Sequence, residues 1–186
     1  MQIFEAIAVI FGILYILLAM RENRWCWVTG FISTAIFAAL FFVSQLYMES
    51  LLQVYYVVMA CYGWRQWQDK DQPLAISNWS LQQHFVTLSC IFVLSMASSA
   101  FLSYYTDATY PLQDSIITWG SLIATYMSTR KILENWLYWV ALNSLALFCC
   151  FNKSLYLTAG LYLIYATLAI GGYFAWRHPK ISGKIC

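Results

Sequence analysis

Hydrophobic and polar positions alternate along this chain on the scale of whole helices rather than of single residues. The charged residues divide the sequence into seven apolar segments, which are 3–20, 25–43, 50–66, 84–104, 113–129, 135–151 and 155–176. Most are close to the ~20 residues that an α-helix needs to cross the hydrocarbon core of a bilayer. Lipid cannot pair an open backbone, so such runs predict helices and not strands. The pattern therefore predicts an all-α membrane protein with seven transmembrane helices.

The basic residues lie almost entirely on one side of this arrangement. When the gaps between segments are assigned alternately to the two sides, Lys153 alone falls on one of them. The other side receives Arg21, Arg24, Arg65, Lys70, Arg130, Lys131, Arg177, Lys180 and Lys184. Basic loops stay in the cytoplasm. The asymmetry fits an odd number of spans and predicts a bacterial inner-membrane protein with its N-terminus outside and its C-terminus in the cytoplasm.

Composition narrows the possible functions. The chain has 186 residues, of which 62% are hydrophobic and 10% charged, whereas about 25% are charged in soluble domains. Short loops leave no room for a soluble domain, so function must lie in or between the helices. A net charge of +2 is too small to indicate nucleic-acid binding. The six cysteines have no Cys-x-x-Cys spacing, and we expect no disulfide framework, metal site or cofactor.

The two halves of the chain resemble each other. Glu22-Asn23 and Trp27-Val28 recur as Glu134-Asn135 and Trp139-Val140, Leu46-Tyr47 as Leu155-Tyr156, and Gly63-x-x-x-Trp67 as Gly172-x-x-x-Trp176. The interval is 112 residues in the first block and 109 in the other two. This difference predicts that the intervening loops differ by three residues.

The repeat also predicts an architecture. A three-helix unit begins and ends on opposite sides of the membrane, so two units that face the same way need one extra crossing between them. Segment 84–104 supplies it, which gives a 3+1+3 plan: residues 1–67, a linker with helix 4 at 68–112, and residues 113–186. Transporters contain parallel repeats of this kind, with the substrate site near the midplane where the repeats meet.

Four motifs carry a resemblance to a known family. They are Leu52-Gln53-x-x-Tyr56, Tyr62-Gly63-Trp64-x-x-Trp67, Glu134-Asn135-Trp136-x-x-Trp139 and Gly171-Gly172-Tyr173-x-x-Trp176. Together they resemble the PnuC family of bacterial vitamin transporters, which is similar in fold to the SWEET sugar transporters. The resemblance implies facilitated diffusion of nicotinamide riboside, trapping of the substrate by phosphorylation, and a homotrimer. Relatives that carry thiamine, riboflavin or deoxynucleosides leave those substrates open.

The resemblance also implies a pocket of Trp, Asn and Gln side chains. Matched by position, these are Gln53, Asn135, Trp139 and Asn143. Asn143 is central in its segment, where an amide is costly unless it is paired or hydrated. The alternative is a structural bond between helices. The interval of 112 residues pairs Asn143 with Phe31, so the halves are predicted to be chemically unequal.

Aromatic side chains form a second set of candidates. Gln53 and Tyr56 begin a helical stripe in segment 50–66, and Tyr162 and Tyr165 begin the related stripe in segment 155–176. The alternative is that both stripes serve only helix packing. Nicotinamide riboside has a cationic pyridinium ring, which aromatic faces attract. Trp139, Tyr56, Tyr162 and Tyr165 are candidates for such a cage.

Segment 113–129 is the least apolar. Its polar positions recur at helical spacing and are Asp114, Thr118, Ser121, Thr125 and Ser128. They predict a hydroxyl-lined path for a polar solute, unless the hydroxyls bond back to their own helix. Asp114 lies near the outer end, where it either recruits a cation or caps the helix.

Missing residue types suggest a passive mechanism. Away from the segment ends, no segment contains an Asp, Glu, Lys or Arg, which ion-driven devices usually need. We therefore expect alternating access without a proton relay, with a small molecule and the bilayer as partners. The alternatives are a sugar facilitator, an accessory subunit and a membrane-embedded enzyme. Against an enzyme, His84 and His178 both lie near segment boundaries, so a catalytic dyad is not expected.

Overall fold

The structure is a computed structural model that describes residues 2–45, 47–68, 74–105 and 109–177. Within those ranges the chain forms seven α-helices. They are α1 (Gln2–Met20), α2 (Cys26–Val43), α3 (Tyr47–Gln66), α4 (Leu81–Tyr105), α5 (Pro111–Thr129), α6 (Asn135–Asn152) and α7 (Tyr156–Arg177). Leu46, Lys70, His178, Lys180 and Lys184, which entered the sequence predictions, lie outside the described residues.

Four helices are long and apolar enough to cross a membrane, namely α1, α2, α4 and α7. The prediction of an all-helical membrane protein with several spans is confirmed. The other three helices, α3, α5 and α6, are less apolar because they carry amide, hydroxyl and indole side chains among their aliphatic residues. These three helices also supply much of the polar lining of the candidate site.

Six of the helices follow one another around the bundle. Each contacts two neighbours, in the order α1, α2, α3, α5, α6, α7 and back to α1, whereas α4 packs on α5. The ends of the helices are joined across the bundle by two long-range hydrogen bonds. The Trp67 indole N–H donates to the Thr129 carbonyl at 3.1 Å, and the Trp176 indole N–H donates to the Ala19 carbonyl at 3.0 Å.

These contacts bring together the last turns of α1, α3, α5 and α7. The turns that follow α1 and α5, and the starts of α2 and α6, lie at the same end. We call this the basic end, because its residues include Arg21, Arg24, Arg65, Arg130, Lys131 and Arg177. The linker also reaches it, since the backbone of Ser77 bonds to the Lys131 carbonyl and the Leu133 amide at 3.0 and 2.8 Å.

Two turns at the basic end have the same unusual backbone. Glu22 after α1 and Lys131 after α5 both have positive φ angles, 54° and 51°. In each turn the next residue's N–H bonds back to a carbonyl in the helix, Asn23 to Leu18 and Ile132 to Met127, at 3.0 Å in both cases. This is a Schellman helix ending, where glycine is the usual residue. Lys131 follows Glu22 by 109 residues.

The other helix pairs obey the same interval. Gln45 after α2 and Ser154 after α6 also have positive φ angles, 61° and 60°, and α1, α2 and α3 begin 109 residues before α5, α6 and α7. The predicted interval of 112 residues for the first block is therefore wrong, and so is the predicted difference in loop length. The recurring letters Glu-Asn and Trp-Val coincide without occupying equivalent positions.

Packing of tryptophan on glycine shows which residues correspond. The Trp27 ring lies against Gly63, where an added Cβ would meet ring atoms at 2.3 Å, and the Trp136 ring lies against Gly172, where the distance would be 2.4 Å. Trp136, not Trp139, is the counterpart of Trp27. By the same interval, Gly30 corresponds to Trp139.

The correction also changes the partner of Asn143. At the interval of 109 residues its counterpart is Thr34, not Phe31. The prediction that paired Asn143 with Phe31 is therefore wrong, although a hydroxyl in place of an amide still leaves the two halves chemically different at this position.

Candidate binding site

A cavity of about 200 Å³ lies among the six helices, toward the basic end. Its wall is formed by α1, α5, α6 and α7 together with Trp67, and its polar side chains include Tyr15, Ser128, Asn135, Asn143 and Tyr165. We call it the main cavity. Asn135 and Asn143 lie two turns apart on α6, so the cavity extends roughly 12 Å along that helix at 1.5 Å per residue.

A second cavity of about 150 Å³ adjoins the first. It lies on the side of α2 and α3, and its polar side chains include Tyr15, Ser33, Thr34, Tyr56 and Thr125. Gly12, Tyr15 and Trp139 line both cavities. The Tyr15 and Trp139 rings therefore form a partition between the two spaces.

The two asparagines of α6 have different surroundings. Asn135 is fully buried and satisfied, since its amide N–H₂ donates to the Ile132 carbonyl at 2.6 Å and its amide oxygen accepts from Ser128 Oγ at 3.0 Å. Asn143 is also buried and lines the main cavity. Its amide has no hydrogen-bond partner among the described residues. Because buried amides are normally paired, Asn143 is available to a bound molecule or to water.

The aromatic candidates divide between the two cavities. Trp139 lines both, Tyr165 lines the main cavity and Tyr56 lines the second. The Tyr165 hydroxyl also lies close to Gly12, where an added Cβ would be 3.5 Å away. The small residue on α1 therefore makes room for the Tyr165 side chain at the cavity wall.

Five predicted residues line neither cavity: Gln53, Asp114, Thr118, Ser121 and Tyr162. Tyr162 meets the edge of the Tyr165 ring, with centroids 6.5 Å apart. Thr118 is exposed and its hydroxyl donates to the Asp114 carbonyl at 2.9 Å, as back-bonding hydroxyls do in helices. Asp114 lies in the first turn of α5, far from the basic end. Ser121 is buried, and its carbonyl accepts from Thr125 Oγ1 at 2.8 Å.

Sequence reasoning missed part of the wall. The missed residues include Tyr15, Ser33 and Thr34, which line the cavities. They lie in α1 and α2, whose sequences predicted only apolar membrane spans. A signal was present in α1, where Ala8, Gly12, Tyr15 and Ala19 fall on one helical face of an otherwise bulky sequence. Small residues on one face mark a close helix contact, and the single tyrosine among them is the residue that reaches the cavities.

Four indole rings form a cluster at the basic end of the bundle. Trp27 meets Trp67 edge-on at 5.4 Å between centroids, Trp67 lies 6.1 Å from Trp176, and Trp176 meets Trp136 edge-on at 5.3 Å. We call these four residues the tryptophan layer. All four side chains are buried, and three of them, Trp67, Trp136 and Trp176, line the main cavity.

A bundle of seven helices, several of them long and apolar enough to cross a membrane, agrees with the comparison to known proteins. Residues 2–178 match the family model described as nicotinamide mononucleotide transporter. The chain belongs to this family.

Curated relatives extend the comparison. The chain is 26% identical over 200 residues to the nicotinamide riboside transporter PnuC of Escherichia coli (strain K12), covering 92% of this chain and 84% of that protein. It is 22% identical over 174 residues to the riboflavin/roseoflavin transporter RibM of Streptomyces davaonensis, covering 90% of this chain and 81% of that protein.

A solved structure shares the fold. The crystal structure of the vitamin B3 transporter PnuC superposes with a TM-score of 0.74, at 18% sequence identity, over 94% of this chain and 80% of that one. The bundle of this chain is therefore the fold of that protein.

Proposed function

We propose that this protein takes up nicotinamide riboside by facilitated diffusion, through alternating access to the main cavity. The observation that carries the proposal is an unbonded amide, that of Asn143, and an aromatic ring, that of Trp139, on the wall of one cavity in the bundle. The Asn143 amide faces the cavity without a partner among the described residues, and a polar solute would supply hydrogen bonds to it. The relationship to PnuC of Escherichia coli supports the choice of solute.

The chemistry of the wall fits the two parts of this molecule. The pyridinium ring of nicotinamide riboside is flat and cationic, and aromatic faces attract such a cation by about 0.5–2 kcal/mol each. Trp139, Tyr15 and Tyr165 offer such faces. The carboxamide and the ribose hydroxyls need hydrogen-bond partners, and the Asn143 amide and the Tyr165 hydroxyl can provide them.

Cavity size bears on the alternative substrate. Riboflavin, named for the relative from Streptomyces davaonensis, has a three-ring system that is larger than one pyridinium ring. The main cavity is about 200 Å³, below the ~300–1,000 Å³ common for ligand sites. This favours the smaller solute.

The lining also supports a passive mechanism. No Asp, Glu, Lys or Arg of the described residues lines either cavity. Coupling to protons usually requires such a group in the membrane. Net uptake then depends on consumption of the solute inside the cell.

The architecture proposed with this function is the 3+1+3 plan, in which α1–α3 and α5–α7 face the same way and α4 crosses between them. The common interval of 109 residues and the meeting of equivalent helix ends at the basic end support it. The units correspond to residues 1–67 and 113–186, with a linker at 68–112, although α5 already begins at Pro111.

The positive-inside rule places the basic end in the cytoplasm, with all seven helices crossing the inner membrane and the N-terminus outside. A homotrimer is part of the proposal. Native mass spectrometry of the purified protein measures the number of subunits. A monomer in all mild detergents would reject the proposed homotrimer.

Uptake into proteoliposomes tests the function. Purified protein should carry labelled nicotinamide riboside down its own gradient, without any imposed ion gradient. Excess unlabelled riboside should compete, and riboflavin, thiamine or glucose should compete far less. A strict need for an ion gradient would reject the passive mechanism, and stronger competition by riboflavin or a sugar would reject the substrate.

A further inference from the structure

An ion pair joins the two Schellman turns at the basic end. Lys131 Nζ lies 2.8 Å from Glu22 Oε2, and this is the only ion pair among the residues that the structure describes. The two residues occupy corresponding positions, one after α1 and one after α5. The bond therefore connects the first helix triplet to the second.

Lys131 also contacts the tryptophan layer. Its Nζ lies 4.8 Å from the centroid of the Trp67 ring, while Trp67 borders the main cavity. The lysine side chain is only 9% exposed and the glutamate 36%. The ion pair thus caps the layer at the basic end.

The layer itself crosses between the triplets. Trp67 from the first triplet bonds to the carbonyl of Thr129 in the second, and Trp176 from the second bonds to the carbonyl of Ala19 in the first. Moving the two triplets apart at this end would break both bonds, the Trp67–Trp176 contact and the ion pair together.

Closure leaves two polar groups unpaired. The indole N–H groups of Trp27 and Trp136, which are counterparts in the two triplets, are buried and have no hydrogen-bond partner among the described residues. Buried donors without partners disfavour the state that contains them. Entry of water on opening would satisfy both, so the closed layer is stabilised by its cross-bonds and opposed by these two groups.

We propose that the tryptophan layer is the gate of the basic end and that the Glu22–Lys131 ion pair is its latch. The layer blocks the solute's exit from the main cavity, and exit requires the two turns to separate so that both charges reach water. The inference rests on the proposed transport function, but it specifies which contacts break rather than which solute passes.

Cys26 offers a native reporter of gate opening. It is fully buried at the start of α2, within the apolar cluster that contains all four indoles. In a variant that keeps Cys26 and replaces the other five cysteines, alkylation by a small maleimide measures how often this region opens. Melting temperature should be recorded for every variant, so that loss of fold is distinguished from opening.

Glu22→Gln should raise the alkylation rate about tenfold or more, because removing one partner of a partly buried ion pair shifts a two-state equilibrium toward the open state. The charge exchange Glu22→Lys with Lys131→Glu should return the rate toward that of the parent. An unchanged rate in Glu22→Gln, or no recovery in the exchanged pair, overturns the latch.

A cross-link provides the opposite test. Glu22→Cys with Lys131→Cys, placed in a background where all native cysteines are replaced, should lose transport on oxidation and regain it on reduction. Full transport by the oxidised protein overturns the gate. If the reduced protein does not carry nicotinamide riboside but the Cys26 rates still respond to the ion pair, the proposed solute fails and the gate stands.

Discussion

The helices α1–α3 and α5–α7 begin at a common interval of 109 residues and present different chemistry at the cavity walls. Where α2 of the first triplet has Gly30, α6 of the second has Trp139, and where α2 has Thr34, α6 has Asn143. Thr34 Oγ1 bonds to the Gly30 carbonyl of its own helix at 2.9 Å, whereas the Asn143 amide is unbonded. At these two positions the first triplet therefore leaves space, whereas the second places an indole ring and an unbonded amide.

This inequality suits an asymmetric solute. A symmetric pair of walls would offer the same groups to both ends of a molecule, whereas nicotinamide riboside has a flat cation at one end and a sugar at the other. The tryptophan layer is where the triplets stay alike, since Trp27 and Trp136 pack on Gly63 and Gly172 in the same way. The proposed mechanism thus assigns gating to the shared features and recognition to the differences.

The largest effect is expected when one indole is removed from each triplet in separate variants. We expect Trp139→Ala to weaken the binding of nicotinamide riboside by up to roughly thirtyfold, since one aromatic face attracts a cation by about 2 kcal/mol at most. Trp27→Ala should mainly lower the melting temperature, because Trp27 is buried between Tyr15, Gly63 and Trp67. Isothermal titration and thermal unfolding of both variants provide the measurement. Equal losses of affinity would contradict the assignment of the stacking ring to the second triplet.

The next test asks whether the gate packing is common to both triplets. Gly63→Ala and Gly172→Ala should each destabilise the protein by about 1–3 kcal/mol, since an added Cβ would enter a tryptophan ring and overpack it. Gly160→Ala is the matched control, because nothing lies within 4 Å of its added Cβ. Thermal unfolding measures all three. A large effect at only one of the two buried glycines would break the equivalence.

A third test separates the two polar counterparts. Asn143→Leu should weaken binding by about tenfold, the value of one or two hydrogen bonds to a solute, and should not lower the melting temperature, since the amide makes no hydrogen bond to the described residues that the change would break. Thr34→Val should change affinity less than about threefold, because its hydroxyl already bonds within α2. Ligand titration checks both. Unfolding of Asn143→Leu at a lower temperature would indicate a structural role instead.

The smallest effect on solute affinity is expected at Asn135, whose amide is hydrogen-bonded within the protein, unlike that of Asn143. Asn135→Ala leaves the Ile132 carbonyl and Ser128 Oγ without these partners and should cost about 1–2 kcal/mol of stability. Affinity measured below the melting temperature should stay within about threefold of the parent, since a group bonded within the protein has little left for a solute. A loss of affinity as large as that of Asn143→Leu would place Asn135 among the solute contacts.

The sequence was sufficient for the helices because the property that forms them is local. Segment 135–151 corresponds to α6 at Asn135–Asn152, and the largest difference at any helix end is three residues, as where segment 50–66 begins later than α3 at Tyr47. A long apolar run bounded by charges fixes a helix regardless of its neighbours. The charged residue Glu49 hid the first turn of α3, since it interrupts the apolar run without interrupting the helix.

The candidate site could be predicted only in part, because helical periodicity does not show which residues along a helix face are level with a cavity. Tyr162 and Tyr165 belong to one stripe, yet only Tyr165 is level with the main cavity. Thr118 and Ser128 share a stripe on α5, but the cavity touches only the end that carries Ser128. Periodicity identifies the face of a helix, and the depth at which that face meets a cavity depends on contacts between helices.

The sequence revealed the repeat but aligned its first block at the wrong interval, because identical letters do not always occupy equivalent positions in the fold. Matching letters paired Glu22 with Glu134, whereas the structure pairs Glu22 with Lys131, a residue of opposite charge with the same backbone conformation. Equivalence in the fold is set by backbone geometry and by the packing of Trp27 and Trp136 on their glycines. An alignment of the two halves by identical residues does not detect equivalent positions that hold residues of opposite charge.

The left-handed turns have a practical consequence for the handling of this protein. Four residues that are not glycine hold a conformation that costs them roughly 1–2 kcal/mol each. At Glu22 and Lys131 the side chains compensate through their mutual attraction. Gln45 and Ser154 are exposed and lie at the opposite ends of α2 and α6. Replacing them with glycine should give a more stable protein for purification and crystallisation and leaves the lining of both cavities unchanged.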